Sequence, residues 1–279
     1  GWFTTIYPVR LNLQGVNGEG ECIRHIKEQL RQIPGKGIAY GALKYMDASA
    51  SSPFQLSDLQ PWDIEFNYLG QFDNILTESS WLKLATESTG RSNSAANQRD
   101  AKLIINSQVT GGRLQLRWDF SSQQYYEETI NCLTQAFEQE LEILIEHCQQ
   151  VDKPVLTPSD FGLQAELNLK ELDAFLDAPL VELDRRAQIH RMYPLSPVQE
   201  GMLFHSLYNK QAGAYIDQML AEFQDLEIPA FKKSWQRLLE AHHILRSSFY
   251  HAEFNLPLQV VYENIDLPFF ETDLSHLSS

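Results

Sequence analysis

The sequence predicts an α/β fold: a mixed sheet with flanking helices, arranged in two blocks around a proline-marked connector. Three observations lead there. Short alternating apolar runs, the mark of half-buried strands, occur in both blocks. Between them lie stretches with apolar residues at helical spacing. A hydrophobic content of 43% with 11% aromatic residues gives a 279-residue chain enough material for a core.

The elements follow in order. Val9, Leu11 and Leu13 alternate with Arg10 and Asn12, the pattern of a strand with one buried face. Ile23, Ile26, Leu30 and Ile33 predict a helix that Pro34-Gly35 stops. Ile64, Phe66 and Tyr68 then alternate with Glu65, Asn67 and Leu69, a second strand. Its period of two sets Asn67 and Tyr68 on opposite faces, so only one of them points into a given cavity. Residues 86–101 hold almost nothing large and apolar and read as a surface loop. Residues 102–110 and 113–120 are alternating runs on either side of Gly111-Gly112, a hairpin whose two-residue turn needs positive φ. Ile130, Leu133, Phe137, Leu141, Leu144 and Cys148 predict an amphipathic helix of about six turns that closes the first block, residues 1–150.

The texture changes over 151–192. Pro154, Pro158 and the run TPSDF make an extended connector. Asn168 and Glu171 form a capping box that opens a short helix over 172–176, and Pro179 ends it. The last block, 193–279, begins with Tyr193. Ser196 is its N-cap, Pro197 suits the first helical position, Gln199 completes the box, and the helix runs through Leu207. A strand over Tyr215–Phe223, a helix from Pro229 with Phe231, Trp235 and Leu238 on one face, and strands over 247–254 and 258–262 complete the pattern. So short a block has too few partners to cover its own sheet and reads as the start of a domain. With Gly1 at one end, no initiating Met and Ser279 at the other, both ends look cut.

Charge and cysteine content exclude several function classes. The formal charge is −15, with 12 basic and 18 acidic residues up to position 150 and 10 and 19 beyond it. Both blocks are acidic, so nucleic acid is a poor partner and the charge reads as a solvated surface. Cys22, Cys132 and Cys148 are odd in number and none sits in a CxxC pair, which suits a reducing, cytoplasmic setting. No apolar run nears the ~20 residues that cross a bilayer, and no signal peptide opens the chain. His25, His147, His190, His205, His251 and His276 show no metal-ligand spacing. Gly35, Gly37 and Gly41 lack the strand–turn–helix frame of a phosphate loop and read as backbone punctuation.

Three segments stand in order in the first block: GWFTTIYPVRL from Gly1, PGKGIAYG over 34–41 and FNYLGQFD over 66–73, followed by a helix ending in LIEHC. Together they closely resemble the last signature motifs of epimerization domains of nonribosomal peptide synthetases. MYPLSPVQEGMLFHSL over 192–207 resembles the first motif of a condensation domain that accepts a D-configured donor, and HHILRSSF over 242–249 resembles its second. TPSDF is also common between such modules. The resemblance implies a chloramphenicol acetyltransferase-like fold, with the C-terminal lobe of one domain followed by the opening of the next. It implies inversion of Cα in an aminoacyl or peptidyl thioester held on the phosphopantetheine arm of a peptidyl carrier protein domain, with the rest of the same synthetase as further partner. That chemistry needs an acid/base pair and stabilisation of an enolate-like oxygen. The family's base candidates, the second His of an HHxxxDG motif and a later Glu, are expected upstream of Gly1, so the isolated piece is expected to be inactive.

His242-His243 begins like that motif, but Ser247 and Ser248 stand where Asp and Gly belong, so His243 is expected at a helix end that leads into a strand. Arg246 matches an Arg that pairs in condensation domains with the Asp of the absent motif. The resemblance sets Asn67 and Tyr68 beside the reaction channel, where the Tyr hydroxyl would bond the thioester oxygen or relay a proton; the alternative is that Tyr68 packs in the sheet core. Trp2 and Phe3 either line the carrier-arm tunnel or simply pack. Two other function classes stay open: a scaffold that docks a carrier protein without chemistry, and an acyltransferase wholly of the condensation type.

Overall fold

The computed structural model describes residues 4–46, 62–71, 101–152, 154–178, 185–208 and 215–274, together with Leu56, Glu87, Gly90 and Ser94. Its helices are α1 (Glu19–Arg31), α2 (Ile38–Tyr45), α3 (Glu127–Gln150), α4 (Leu169–Asp177), the single turn α5 (Arg185–Gln188), α6 (Pro197–Tyr208) and α7 (Ile228–Ala241). Its strands are β1 (Ile64–Gln71), β2 (Leu103–Thr110), β3 (Arg113–Phe120), β4 (Ile189–Pro194), β5 (Ser247–Tyr250) and β6 (Leu258–Tyr262). The chain forms two compact units, Gly1–Arg10 with Pro34–His147, and Leu11–Ile33 with Cys148–Ser279.

The first unit is a mixed three-stranded sheet in the order β1-β2-β3, with β1 parallel to β2 and β2 antiparallel to β3. The β2–β3 turn is made as the sequence predicts. Gly111 and Gly112 have φ of 62° and 68°, a left-handed pair that side chains with a Cβ rarely adopt. One face of the sheet is apolar. Leu103 and Ile105 pack with Ile130 of α3, and the Trp118 ring meets Phe137 of α3 edge-on at 5.8 Å. Register carries that face onto β1 at Ile64, Phe66 and Tyr68, which stay more than half exposed. The predicted loop over 86–101 lies outside the described residues, apart from Glu87, Gly90, Ser94 and Ala101.

The second unit is an antiparallel sheet in the order β4-β6-β5. Met192, Leu258 and Val260 are almost fully buried on one face, and the connector supplies what covers them. Leu163, Leu167 and, from α4, Leu172, Phe175 and Leu176 share a single core with those strand residues and Phe254. At about 1.5–3 kcal/mol for each large apolar side chain taken out of water, this contact is a principal source of stability for the unit. Arg185 fastens the end of α4 to the sheet. Its guanidinium lies 4.1 Å from the Phe175 ring centre and 5.3 Å from that of Tyr250 in β5, and Nη1 donates to the Phe175 carbonyl at 2.6 Å.

Both predicted capping boxes form. The Glu171 N–H donates to Asn168 Oδ1 at 3.0 Å and the Asn168 N–H to Glu171 Oε2 at 3.2 Å. In α6 the Gln199 N–H reaches Ser196 Oγ at 3.3 Å and the Ser196 N–H reaches Gln199 Oε1 at 2.9 Å.

Three expectations differ from the structure. No strand forms at Val9–Leu13; the Asn12 N–H and C=O are instead taken by the Gln29 carboxamide at 2.7 and 2.8 Å, which removes them from any ladder. No strand forms over 215–223 either. That segment has no ladder partner among the described residues, and Ile216, Met219 and Leu220 are at least 79% exposed. The strand expected over 247–254 stops at Tyr250, and Phe254 turns into the core instead of continuing the ladder.

Candidate functional site

The segment FNYLGQ is β1, and its geometry separates the two residues singled out within it. Tyr68 is in register with Ser107, whose neighbour across β2–β3 is Leu116, on the side where α3 packs, but the Tyr68 side chain is more than half exposed and is not packed in the sheet core. Asn67 is on the other face, in register with Asn106 and, one strand further, Arg117. That face is mostly polar, with Glu65, Gln108, Gln115 and Asp119 around it and Ile104 between Glu65 and Asp119. The Asn67 Nδ2 donates to Asn106 Oδ1 at 3.2 Å, and the Ser107 hydroxyl donates to the Asn67 carbonyl at 3.4 Å. Arg117 is turned along its own strand, with Nε and Nη2 on Asp119 Oδ1 at 3.1 and 3.0 Å. Beyond Tyr68 the β1–β2 register shifts, and Gly70 has φ 86°. Asn67 therefore stands at the last regular pairs of the ladder. Its carboxamide can offer an N–H to an oxygen that gains charge and its oxygen to a donor.

PGKG folds as a 3-10 turn in which Gly35, Lys36 and Gly37 all have positive φ. A Cβ at Gly37 would lie 2.1 Å from the Tyr7 ring, so glycine is required there both by conformation and by the close approach. The glycines at 35 and 37 thus shape the backbone. Gly41 is an ordinary position inside α2, with open space around it. Trp2 and Phe3 lie outside the described residues.

In the second unit His243 opens a 3-10 turn, His243–Arg246, between α7 and β5. Its ring meets that of His190 edge-on at 5.1 Å, and His190 Nδ1 is 2.6 Å from Glu263 Oε1. Arg246 is buried and acts as a three-way clamp. Its guanidinium donates to the carbonyls of Tyr262 at 2.6 Å, of Glu263, and of Glu240 at 3.2 Å, tying the end of α7 to the end of β6. Its Nε is buried without a hydrogen-bond partner. Among the described residues, then, main-chain oxygens hold the guanidinium.

Sequence reasoning missed the charged seam of α1. The helix forms where predicted, but its buried residues are Arg24 and Glu28, not the apolar row. Ile23 and Leu30 remain 36% and 42% exposed. Arg24 Nη2 spans both Asp173 oxygens at 2.7 and 2.8 Å, and Nη1 reaches Glu21 at 2.7 Å. Lys27 Nζ bonds both Asp160 oxygens at 2.6 and 2.7 Å, and Glu28 Oε1 accepts the Ser159 N–H at 3.1 Å. Burial alone would raise the Asp160 carboxyl. The bonds from Lys27 and from the Thr157 N–H outweigh it and hold the group below the usual aspartate range. The i, i+4 spacing of Arg24 and Glu28 was the signal available, and it reads equally as a solvated face.

Among the described residues no group of three or more His, Cys, Asp or Glu is arranged to hold a metal, and no helix is long and apolar enough to cross a membrane. The family model described as "Condensation domain" matches residues 1–165 and 189–279. A linear gramicidin synthase subunit from Brevibacillus parabrevis is 36% identical over 278 residues, 99% of this chain and 4% of that protein. A mycosubtilin synthase subunit from Bacillus subtilis is 38% identical over 263 residues, 94% of this chain and 10% of that protein. The chain thus spans no more than a tenth of the length of either relative. The crystal structure of the epimerization domain from the third module of tyrocidine synthetase B is 35% identical, covering 53% of this chain and 32% of that one, with a TM-score of 0.47. With the family match extending over both blocks, the chain belongs to the condensation domain family of nonribosomal peptide synthetases.

Proposed function

We propose that the chain joins two consecutive activities of a peptide synthetase. The first block is the C-terminal lobe of a domain that inverts Cα of a carrier-bound aminoacyl or peptidyl thioester. The second opens a condensation domain that receives the D-configured product. The observation that carries this reading is the FNYLGQ strand, with the Asn67 carboxamide on the polar face of its sheet, hydrogen-bonded to Asn106. The proton leaves and returns at carbon α to a thioester, so negative charge gathers on the thioester oxygen. A fixed carboxamide N–H supports that charge. Between the two residues expected at the site, Asn67 is the better supported, because a side-chain hydrogen bond to Asn106 holds its carboxamide while Tyr68 is more than half exposed. The partner is the peptidyl carrier domain that presents the thioester on its phosphopantetheine arm, and the setting is the cytoplasm.

The test is release of the α-deuteron from a loaded carrier domain by the full-length synthetase. Asn67→Ala lowers the rate about 10²-fold, the scale of one lost oxyanion donor. Tyr68→Phe has the smaller effect. The isolated chain, which contains no HHxxxDG motif, shows no release above background. Wild-type release by Asn67→Ala would sink the reading.

A further inference from the structure

If β1 belongs to the epimerization site, as read above, then Asn67 has to be held in one orientation. A carboxamide on an exposed strand turns freely, because its terminal torsion is broad and two-fold. Here the surroundings restrict that turn unevenly. The β1–β2 ladder loses regular register just after Tyr68, so the backbone fixes Asn67 less firmly than a mid-strand residue. Arg117, the third residue of the row, is engaged with Asp119. The side-chain bond holding the Asn67 carboxamide is the one to Asn106 Oδ1, at 3.2 Å. It consumes one N–H of Asn67 and sets the plane of the group. The second N–H and Oδ1 of Asn67 remain available on the polar face.

We infer that Asn106 is a positioning residue for epimerization: its Oδ1 fixes the orientation in which Asn67 presents its N–H to the thioester oxygen. Asn106 itself touches no reacting atom. Without it the Asn67 amide populates the flipped orientation, with oxygen where the donor belongs, and the orientational advantage is lost.

The experiment measures α-deuteron release by the full-length synthetase from an aminoacyl-loaded carrier domain, for Asn67→Ala, Asn106→Leu, Asn106→Asp and the Asn67→Ala/Asn106→Leu pair. Asn106→Leu lowers kcat about tenfold and leaves KM for the loaded carrier unchanged. Asn106→Asp, which keeps an acceptor oxygen in place, restores most of the loss. On top of Asn67→Ala, Asn106→Leu costs nothing further, because there is no amide left to position. If Asn106→Leu unfolds the sheet, as thermal unfolding reports, Asn106→Ser replaces it with a side chain too short to reach. The inference is overturned if Asn67→Ala is impaired while Asn106→Leu stays within about twofold of wild type, or if the two losses multiply in the pair. If Asn67→Ala is itself unimpaired, the reading of β1 fails first and the inference falls with it.

Discussion

Replacing Arg24 with alanine tests whether α1 is held to the connector by charge. The Arg24 side chain is 9% exposed and grips both oxygens of Asp173 at 2.7 and 2.8 Å. Removing one member of a buried ion pair costs about 3–5 kcal/mol when the other is left uncompensated. That full figure does not apply. Asp173 is 29% exposed and keeps Arg186 at 3.2 Å, so its charge stays paired. What disappears is a set of charge-assisted hydrogen bonds, about 1.5–3 kcal/mol. Taking about 2 kcal/mol, at 1.36 kcal/mol for each factor of ten, the local opening of α1 becomes roughly 30-fold more favourable. Native-state hydrogen exchange reads this directly: protection of the α1 amides falls roughly 30-fold while the β2 amides of the other unit are unchanged. A drop below about threefold would show that apolar contacts, not the Arg24–Asp173 pair, retain the helix.

Three further outcomes are expected. Leu172→Ala, at a site with no solvent exposure, destabilises the second unit by about 2–5 kcal/mol, measured as a lower urea midpoint. Gly37→Ala forces a Cβ into the Tyr7 ring at positive φ and lowers the thermal midpoint of the first unit, whereas Gly41→Ala, mid-helix with open space, is neutral or stabilising by about 0.5–1 kcal/mol. Because the Asp160 carboxyl is held below its ordinary range, its contribution to the α1–connector contact is complete above about pH 4 and is lost as the pH falls further; protection of α1 at pH 6 and pH 3 checks the sign.

Local chemistry was the legible part of the sequence. The Gly-Gly hairpin and both capping boxes are encoded in neighbouring residues and appear as expected, whereas α1 ends at Arg31, short of Ile33, and α2 was not read from the sequence. The misses are non-local. Alternation at Val9–Leu13 and at 215–223 signals a strand only where a partner strand is at hand, and Asn12 is bonded by a glutamine side chain from α1 instead. The face α1 buries depends on Asp173, almost 150 positions away, which no periodicity reveals. At the candidate site the alternation of Asn67 and Tyr68 was legible. The link from Asn67 to Asn106 was not, because it depends on the register of a parallel pair whose strands are separated by more than thirty residues.

The shared core of connector and sheet bears on how such synthetases can be recombined. Exchange of one domain for another between assembly lines requires a cut in the chain, and the composition of 151–192 invites one just before Tyr193. A cut there leaves Met192 behind with Leu172, Phe175 and Leu176, and strips the covering from Leu258 and Val260. The transplanted part would enter its new host with a bare apolar sheet face, prone to aggregation before any question of substrate matching arises. A seam ahead of Val155 instead keeps Thr157, α4 and the strands they cover together, at the cost of the α1 bonds to Asp160 and Asp173. Which side of the connector is cut therefore decides whether Leu258 and Val260 stay covered or become an exposed surface.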